Sequence, residues 1–332
     1  EEGHVVTGHS RVRAVFALIA ALVVALGVAA CGGGSSSTSS TGTSGANSAN
    51  LIKSNPANNG IQLTVGSKNF TEEYILGNIY AQALQAAGYN VKTNLNLGSE
   101  TIAYKALQDG QISGYPEYTS TLLQSIFGKQ TVPAEAQAAY TQAQQQLQPK
   151  GETAFEPTPF ADANALGMLK SKADQLGVTT ISDLQGKSQD LTLYGSPECR
   201  DRADCLVGLE KVYGLQFKSF NPVDIGLRYT VLDKGQADAS IVFTSDAQLF
   251  ANPDKYVLLK DDKGIFPSGN VIWVTDQSTV QKAGPDYQAT IQKVQKGLTV
   301  PVIQELNARV DIDKQDPAAV ATQYLKEDGY IK

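Results

Sequence analysis

The sequence predicts an α/β protein of two lobes with mostly parallel sheets. From Ile61 onward, apolar runs of strand period alternate with segments of helical spacing. The stretch from Ile61 to Lys332 exceeds the usual size of a single hydrophobic core. Pro157 and Pro159, and later Phe266-Pro-Ser-Gly-Asn270, break the pattern where the chain can pass from one lobe to the other and return.

Ahead of the folded part, Ser10-Arg-Val-Arg13 leads into an apolar run closed by Val28-Ala-Ala-Cys31. A charged start, an apolar core short of the ~20 residues of a membrane span, and small residues before a cysteine describe a bacterial lipoprotein signal. Residues 1–30 are expected to be removed and Cys31 to carry the lipid. The Gly/Ser/Thr/Asn tract that follows, residues 31–60, buries too little to order itself and reads as a tether. At about 5–6 Å × √n it spans roughly 30 Å. This places the folded part on the extracytoplasmic face of the cell membrane, lipid-anchored.

Ile61-Gln-Leu-Thr-Val65 alternates as a strand, and Gly66-Ser67-Lys68-Asn69 forms a polar loop. Phe70 to Ala87 follows as a helix, with Thr71, Glu72 and Glu73 offering cap and first-turn chemistry. Val91–Leu97 reads as a strand, Thr101–Leu107 as a helix, Ile112–Tyr115 as a strand and Tyr118–Phe127 as a helix. Ala134–Gln148, rich in Ala and Gln, is expected as a surface helix, and a lobe crossing is placed at Phe160–Asn164. The second lobe should hold a short helix at Thr180–Leu184, strands at Leu191–Tyr194 and Ala239–Phe243, and helices at Ala203–Tyr213 and Val223–Gly235. The return crossing, near Ile265–Asn270, leads to the strand Val271–Thr275, and helices between Gln277 and Lys326 pack back on the first lobe. Residues 61–160 with 270–332 are thus expected as lobe 1, and 161–269 as lobe 2. Two such lobes make a cleft, lined by loops at the carboxyl ends of parallel strands.

Composition narrows the chemistry. The net charge of −6 is mixed along the chain, which argues against nucleic acid. Both histidines, His4 and His9, lie in the segment expected to be cut away. Ser-His-Asp and Cys-His constellations and His-bearing zinc sites are therefore excluded from the mature chain. Cys199 and Cys205, with five residues between them, read as a disulfide in an oxidising compartment. No metal or cofactor is called for. A two-carboxylate glycosidase using Glu117 and Glu198 remains open, as does an interaction lipoprotein without a pocket.

Gly66-Ser-Lys-Asn-Phe-Thr-Glu-Glu-Tyr-Ile75, Glu117-Tyr-Thr-Ser-Thr121, Ile225-Gly-Leu-Arg-Tyr229, Ala237-Asp-Ala-Ser240 and Asp261-Asp-Lys-Gly-Ile-Phe-Pro267 together resemble the glycine betaine, carnitine and choline binding proteins of ABC importers. The resemblance spans Ile61 to Lys332 and implies a type II periplasmic-binding fold, capture of a small zwitterionic or carboxylated ligand without catalysis, and hand-over to a permease and its ATPase by a monomer. In that family four aromatic rings cage a trimethylammonium group. The resemblance puts Tyr118, Asn164, Phe243 and Gly269 or a neighbour at those places, so two of four are aromatic. It puts Lys68, Thr121 and Arg202 where the ligand carboxylate is held, with Glu198 as the acid nearby. The anion end is expected to be kept and the cation end thinned, the latter answered by Asn164, Glu198 or Asn270, or rebuilt by Tyr115, Tyr194, Phe160 or Tyr229. Without the resemblance, Arg202 reads as a surface ion pair with Asp201, Asp204 or Glu198, Phe243 and Trp273 as core, and Arg228 and Tyr229 as a solvated charge and a packed ring.

Overall fold

The computed structural model of the chain describes residues 50–332. The expected signal segment, Cys31 and most of the expected tether lie outside the described residues. The end of that tether is not loose. Ile52 N donates to Tyr330 O at 2.9 Å, Asn58 is buried and donates to Ala87 O at 2.8 Å, and Ile52 and Ile61 pack on the core. Two isoleucines and a capped turn suffice to hold residues 50–60 in place.

The chain forms β1 (Gln62–Gly66), α1 (Thr71–Ala86), β2 (Asn90–Asn94), α2 (Glu100–Gln108), β3 (Gly114–Tyr118), a short α3 (Thr119–Thr121), α4 (Ala136–Leu147), β4 (Glu152–Ala154) and β5 (Ala161–Asp162). The middle gives β6 (Asn164–Leu169), α5 (Lys170–Leu176), β7 (Thr192–Gly195), α6 (Leu206–Lys211), β8 (Ser219–Pro222), α7 (Arg228–Asp233), β9 (Ala239–Phe243), α8 (Ala247–Ala251) and β10 (Tyr256–Leu258). Then come β11 (Gly269–Asp276), α9 (Gln277–Ala283), α10 (Pro285–Gln295), α11 (Val300–Asp311) and α12 (Pro317–Glu327).

Two sheets result, each the centre of a lobe. One has the order β2-β1-β3-β11-β4, with β5 paired to β11; the other has the order β10-β6-β9-β7-β8. They are mixed rather than mostly parallel. β1 runs parallel to β2 and β3, and β7 parallel to β8 and β9, but β11 is antiparallel to β3, β4 and β5, and β6 to β9 and β10. A strand entered by a chain returning from the other lobe meets its neighbours head-on. The two crossing segments also pair with each other, Gly269 opposite Asp162 and Asn270 opposite Ala161, so the hinge is a short antiparallel ribbon.

Trp273 of β11 sits at the heart of the first lobe, fully buried, its Nε1 donating to Tyr287 Oη at 2.8 Å and its ring edge-on to Tyr80 at 5.0 Å. Helix α1 lays Ile75, Leu76, Ile79, Tyr80, Ala83 and Leu84 into the same core. Pro116 in β3 is tolerated because β3 meets β1 only at Val65 opposite Gly114, leaving the Pro116–Tyr118 end free of that ladder. That end reaches the cleft.

Several expected elements are shorter or start elsewhere. The helix expected from Tyr118 begins at Thr119 and continues as a π-helical turn, Leu122–Ile126, so Tyr118 is the last residue of a strand. Helix α6 begins only at Leu206, because a 3₁₀ turn, Pro197–Asp201, and the Cys199–Cys205 bridge (Cα–Cα 5.2 Å) hold the preceding loop. The residue at the N-cap of α1 is Phe70; the Thr71 hydroxyl donates instead to Asp311 of α11 at 2.6 Å. Glu72 and Glu73 point inward and are buried.

Candidate functional site

Loops from both lobes enclose a cleft. Seven of the eight expected ligand-contacting residues line it: Lys68, Tyr118, Thr121, Asn164, Glu198, Arg202 and Phe243. Gly269 does not. A Cβ there would sit 2.8 Å from the Ser120 backbone nitrogen, because pairing in the hinge ribbon presses this glycine against α3; Pro267, two residues earlier, reaches the cleft instead.

The Lys68 corner belongs to the first lobe. Turning after β1 buries Lys68, whose Nζ pairs with Glu117 and lies 3.6 Å from Glu73 Oε1 and 4.5 Å from the Tyr118 ring centroid. Burial opposes the charge, yet Glu117 and Glu73 outweigh it and raise the lysine pKa. Burial also pushes Glu73 up to about 8, against the pull of Lys68. Burial raises the Glu117 carboxyl as well, against the pull of Lys68. Behind them the Tyr118 hydroxyl bonds to Glu72, and Asn307 donates to Glu72 Oε2 at 2.8 Å and to Ser245 O of the other lobe at 3.2 Å.

The Arg202 corner belongs to the second lobe. Asp204 takes both Arg202 Nε (2.8 Å) and Nη2 (2.5 Å), and Asn164 Nδ2 steadies Asp204 from behind at 3.0 Å. Nη1 reaches Glu100 Oε1 at 3.4 Å, at the start of α2 on the opposite lobe. Burial opposes the Arg202 charge, but Asp204 and Glu100 raise its pKa. The pairing with Asp204 was among the expected ones. The bridge to Glu100 joins residues 102 positions apart and has no sequence signal.

Between these corners stands an aromatic wall. Phe70 lies 6.2 Å from Tyr118 and 5.2 Å from Phe243, joining a ring of one lobe to a ring of the other. Phe243 is half-buried in the cleft wall rather than core. None of the four rings considered as replacements lines this cleft: Tyr115 and Phe160 are fully buried, Tyr194 packs in the second lobe's core, and Tyr229 packs edge-on to Tyr256 at 4.8 Å. Phe70 takes that place, and its signal was its position in the same strand-to-helix loop as Lys68. Arg228 is the clearest departure from expectation. It is buried, with its guanidinium 4.0 Å above Phe243, Nη2 on Asp246 Oδ1 at 2.8 Å and Nε on Ile225 O at 2.7 Å. Asp162, on the crossing strand, also lines the cleft; burial, with Glu72 nearby, pushes it up to about 7.

Glu117 is fully buried and does not line the cleft, so the two carboxylates of the glycosidase reading do not face each other there. Among the described residues no group of three or more His, Cys, Asp or Glu side chains is arranged to hold a metal ion.

Comparison with known proteins shows the family and the fold. Residues 61–327 match the model of the substrate binding domain of ABC-type glycine betaine transport systems. The glycine-betaine-binding protein of Pseudomonas aeruginosa PAO1 is 34% identical over 276 residues, 80% of this chain and 87% of that protein. The carnitine transport binding protein OpuCC of Listeria monocytogenes serotype 1/2a is 27% identical over 276 residues, 81% and 88% respectively. A crystal structure described as a glycine betaine/carnitine/choline ABC transporter superposes with a TM-score of 0.64 at 26% identity, covering 81% of this chain and all of that one.

Proposed function

We propose, because the chain belongs to the family of substrate binding domains of ABC-type glycine betaine transport systems, that it captures glycine betaine or a related small carboxylated osmolyte in the cleft between its lobes. The observation that carries this reading is the wall of Phe70, Tyr118 and Phe243, contributed by both lobes and facing the polar side chains of Lys68, Thr121, Asn164, Glu198 and Arg202. Ring faces attract a quaternary ammonium at roughly 0.5–2 kcal/mol per contact. The ligand is carried, not transformed. It acts outside the cytoplasmic membrane as a monomer, tethered through lipid on Cys31, and delivers its cargo to a permease driven by an intracellular ATPase. Tethering raises its concentration at that permease.

A second reading has its own support. The faces of Tyr118 and Phe243 are approached by the protein's own Lys68 and Arg228. A ligand whose cationic end is held by hydrogen bonds rather than by ring faces, such as an amino acid, would not depend on them. Thermal unfolding of the full chain with glycine betaine, carnitine, choline and amino acids separates the two, since a ligand at a hundred times its Kd adds about 2.7 kcal/mol. Stabilisation by betaines supports the first reading, stabilisation by amino acids alone supports the second, and no response to any of them counts against both.

A further inference from the structure

The seam between the lobes gathers carboxyl groups that the two lobes carry separately. Glu72 belongs to α1 of the first lobe, Asp162 to the crossing strand β5, and Asp246 to the loop between β9 and α8 of the second lobe, and all three are buried. Ser245 is the joint. Its backbone N–H donates to Asp162 Oδ1 at 2.9 Å, and its carbonyl accepts from Asn307 Nδ2 of α11 at 3.2 Å, the same amide nitrogen that donates to Glu72 Oε2 at 2.8 Å. Thr244 Oγ1 adds a second bond to Asp162 Oδ1 at 2.6 Å. One short loop of the second lobe is thus pinned between the crossing strand and two helices of the first.

The seam is short of positive charge. The nearby cations are committed elsewhere, Arg228 to Asp246 and Lys68 to Glu117 and Glu73. Facing Glu72 and Asp162 are the hydrogen-bonding groups of Tyr118, Asn307, Thr244 and Ser245, with Glu73 next along α1 and Asp311 at the end of α11 close enough to feel Asp246. Burial raises the Glu72 carboxyl against its hydrogen bonds from Tyr118, Asn307 and Ser245, and Asp246 adds to the rise. Burial, reinforced by Glu72, likewise pushes Asp162 up to about 7. Carboxylates that share a site away from water do not all ionise at ordinary cost. Both bonds to Asp162 fall on Oδ1, so a proton on Oδ2 disturbs neither.

We propose that this seam couples closure of the cleft to proton uptake: with the lobes together, Glu72 and Asp162 share a proton that they release when residues 244–246 part from α1 and α11. Mildly acid surroundings then favour the closed form and alkaline ones the open form. The sign follows from linkage, since the state that binds more protons gains as the pH falls. The coupling needs no particular ligand, because none of the groups that carry it has to touch one.

Small-angle scattering of the unliganded full chain at pH 5.5, 7 and 8.5 tests the coupling. The radius of gyration is expected to grow with pH, with its midpoint near the value of about 7 to which Asp162 is pushed. In the double variant Glu72→Gln and Asp162→Asn, which keeps both groups neutral at every pH, it should stay at the parent's low-pH value. An equal radius at pH 5.5 and 8.5 in the parent overturns the proposal, and so does a pH-dependent radius that persists in the double variant. Should the variant fail to fold, proton uptake decides. Isothermal titration of the unmutated chain with glycine betaine, whose own charges do not titrate between pH 6 and 8, is then run in two buffers of different ionisation enthalpy. Uptake of protons on binding, with affinity falling roughly tenfold from pH 6 to 8, supports the proposal; binding without uptake refutes it. A chain whose radius follows pH but which ignores betaines keeps this proposal and loses the proposed function.

Discussion

The Lys68 and Arg228 corners of the cleft both bury a cation against an aromatic ring, and they are built to opposite effect. Lys68 sits between two buried carboxylates, Glu117 and Glu73, and burial pushes the Glu73 carboxyl up to about 8. Arg228 sits with one carboxylate and keeps a nitrogen unused. A buried charge must be compensated; what differs is whether the compensation is complete.

The comparison can be broken most forcefully at Lys68. Lys68→Met leaves Glu117 buried without its cation and is expected to destabilise the fold by about 3–5 kcal/mol, read by urea unfolding. A loss under about 1 kcal/mol would show that Glu117 does not depend on Lys68 for its compensation. Opening the Cys199–Cys205 bridge with Cys199→Ser and Cys205→Ser should cost about 2 kcal/mol, the loop being short; because that loop carries Arg202, ligand affinity should fall as well. Unaltered affinity in that variant would show that Asp204 and Glu100 hold Arg202 without the bridge.

A smaller effect sharpens the contrast through pH. The carboxyl of Glu73 rises from an ordinary 4.5 to about 8 on folding because it is buried, so between those values the folded state holds a proton that the unfolded state has released. Stability should therefore decline as pH rises from about 4.5 to about 8, the opposite of a salt-bridged carboxylate. Asp162, pushed up to about 7, adds a contribution of the same sign. Unfolding midpoints at pH 5, 7 and 8.5 check this, and Glu73→Gln should flatten the slope; a parent slope that is flat or rising removes the argument for a protonated Glu73. Smallest is Phe70→Ala, which removes one partly buried ring. It should leave the unfolding midpoint nearly unchanged and weaken a quaternary ammonium ligand by about 0.5–2 kcal/mol, with little effect on ligands lacking that group. Equal weakening of both would mean that Phe70 only shapes the wall.

Local patterns carried much of this protein. Strand β1, the loop Ser67–Phe70, helix α1 and strand β9 lie close to where alternation, turn residues and helical spacing place them, since each depends on neighbours in the chain. The residues lining the cleft were legible for a related reason: Lys68, Tyr118, Asn164, Glu198 and Arg202 all sit on loops or strand ends, where side chains are free to face a cleft. Less legible were the bounds of α6, set by a disulfide, and the path of β11, set by a return from the other lobe.

By itself, the sequence determined the alternating α/β elements, the two-lobed plan and most of the polar residues of the cleft, because backbone period and turn chemistry are local. Only the tertiary structure decided which charges were already spent. Glu100 meets Arg202, Phe70 meets Phe243, and Asp246 takes one nitrogen of Arg228 and leaves another, each by bringing together segments distant in the chain. The worth of a buried charge depends on its partners in space, and no spacing along the chain counts them.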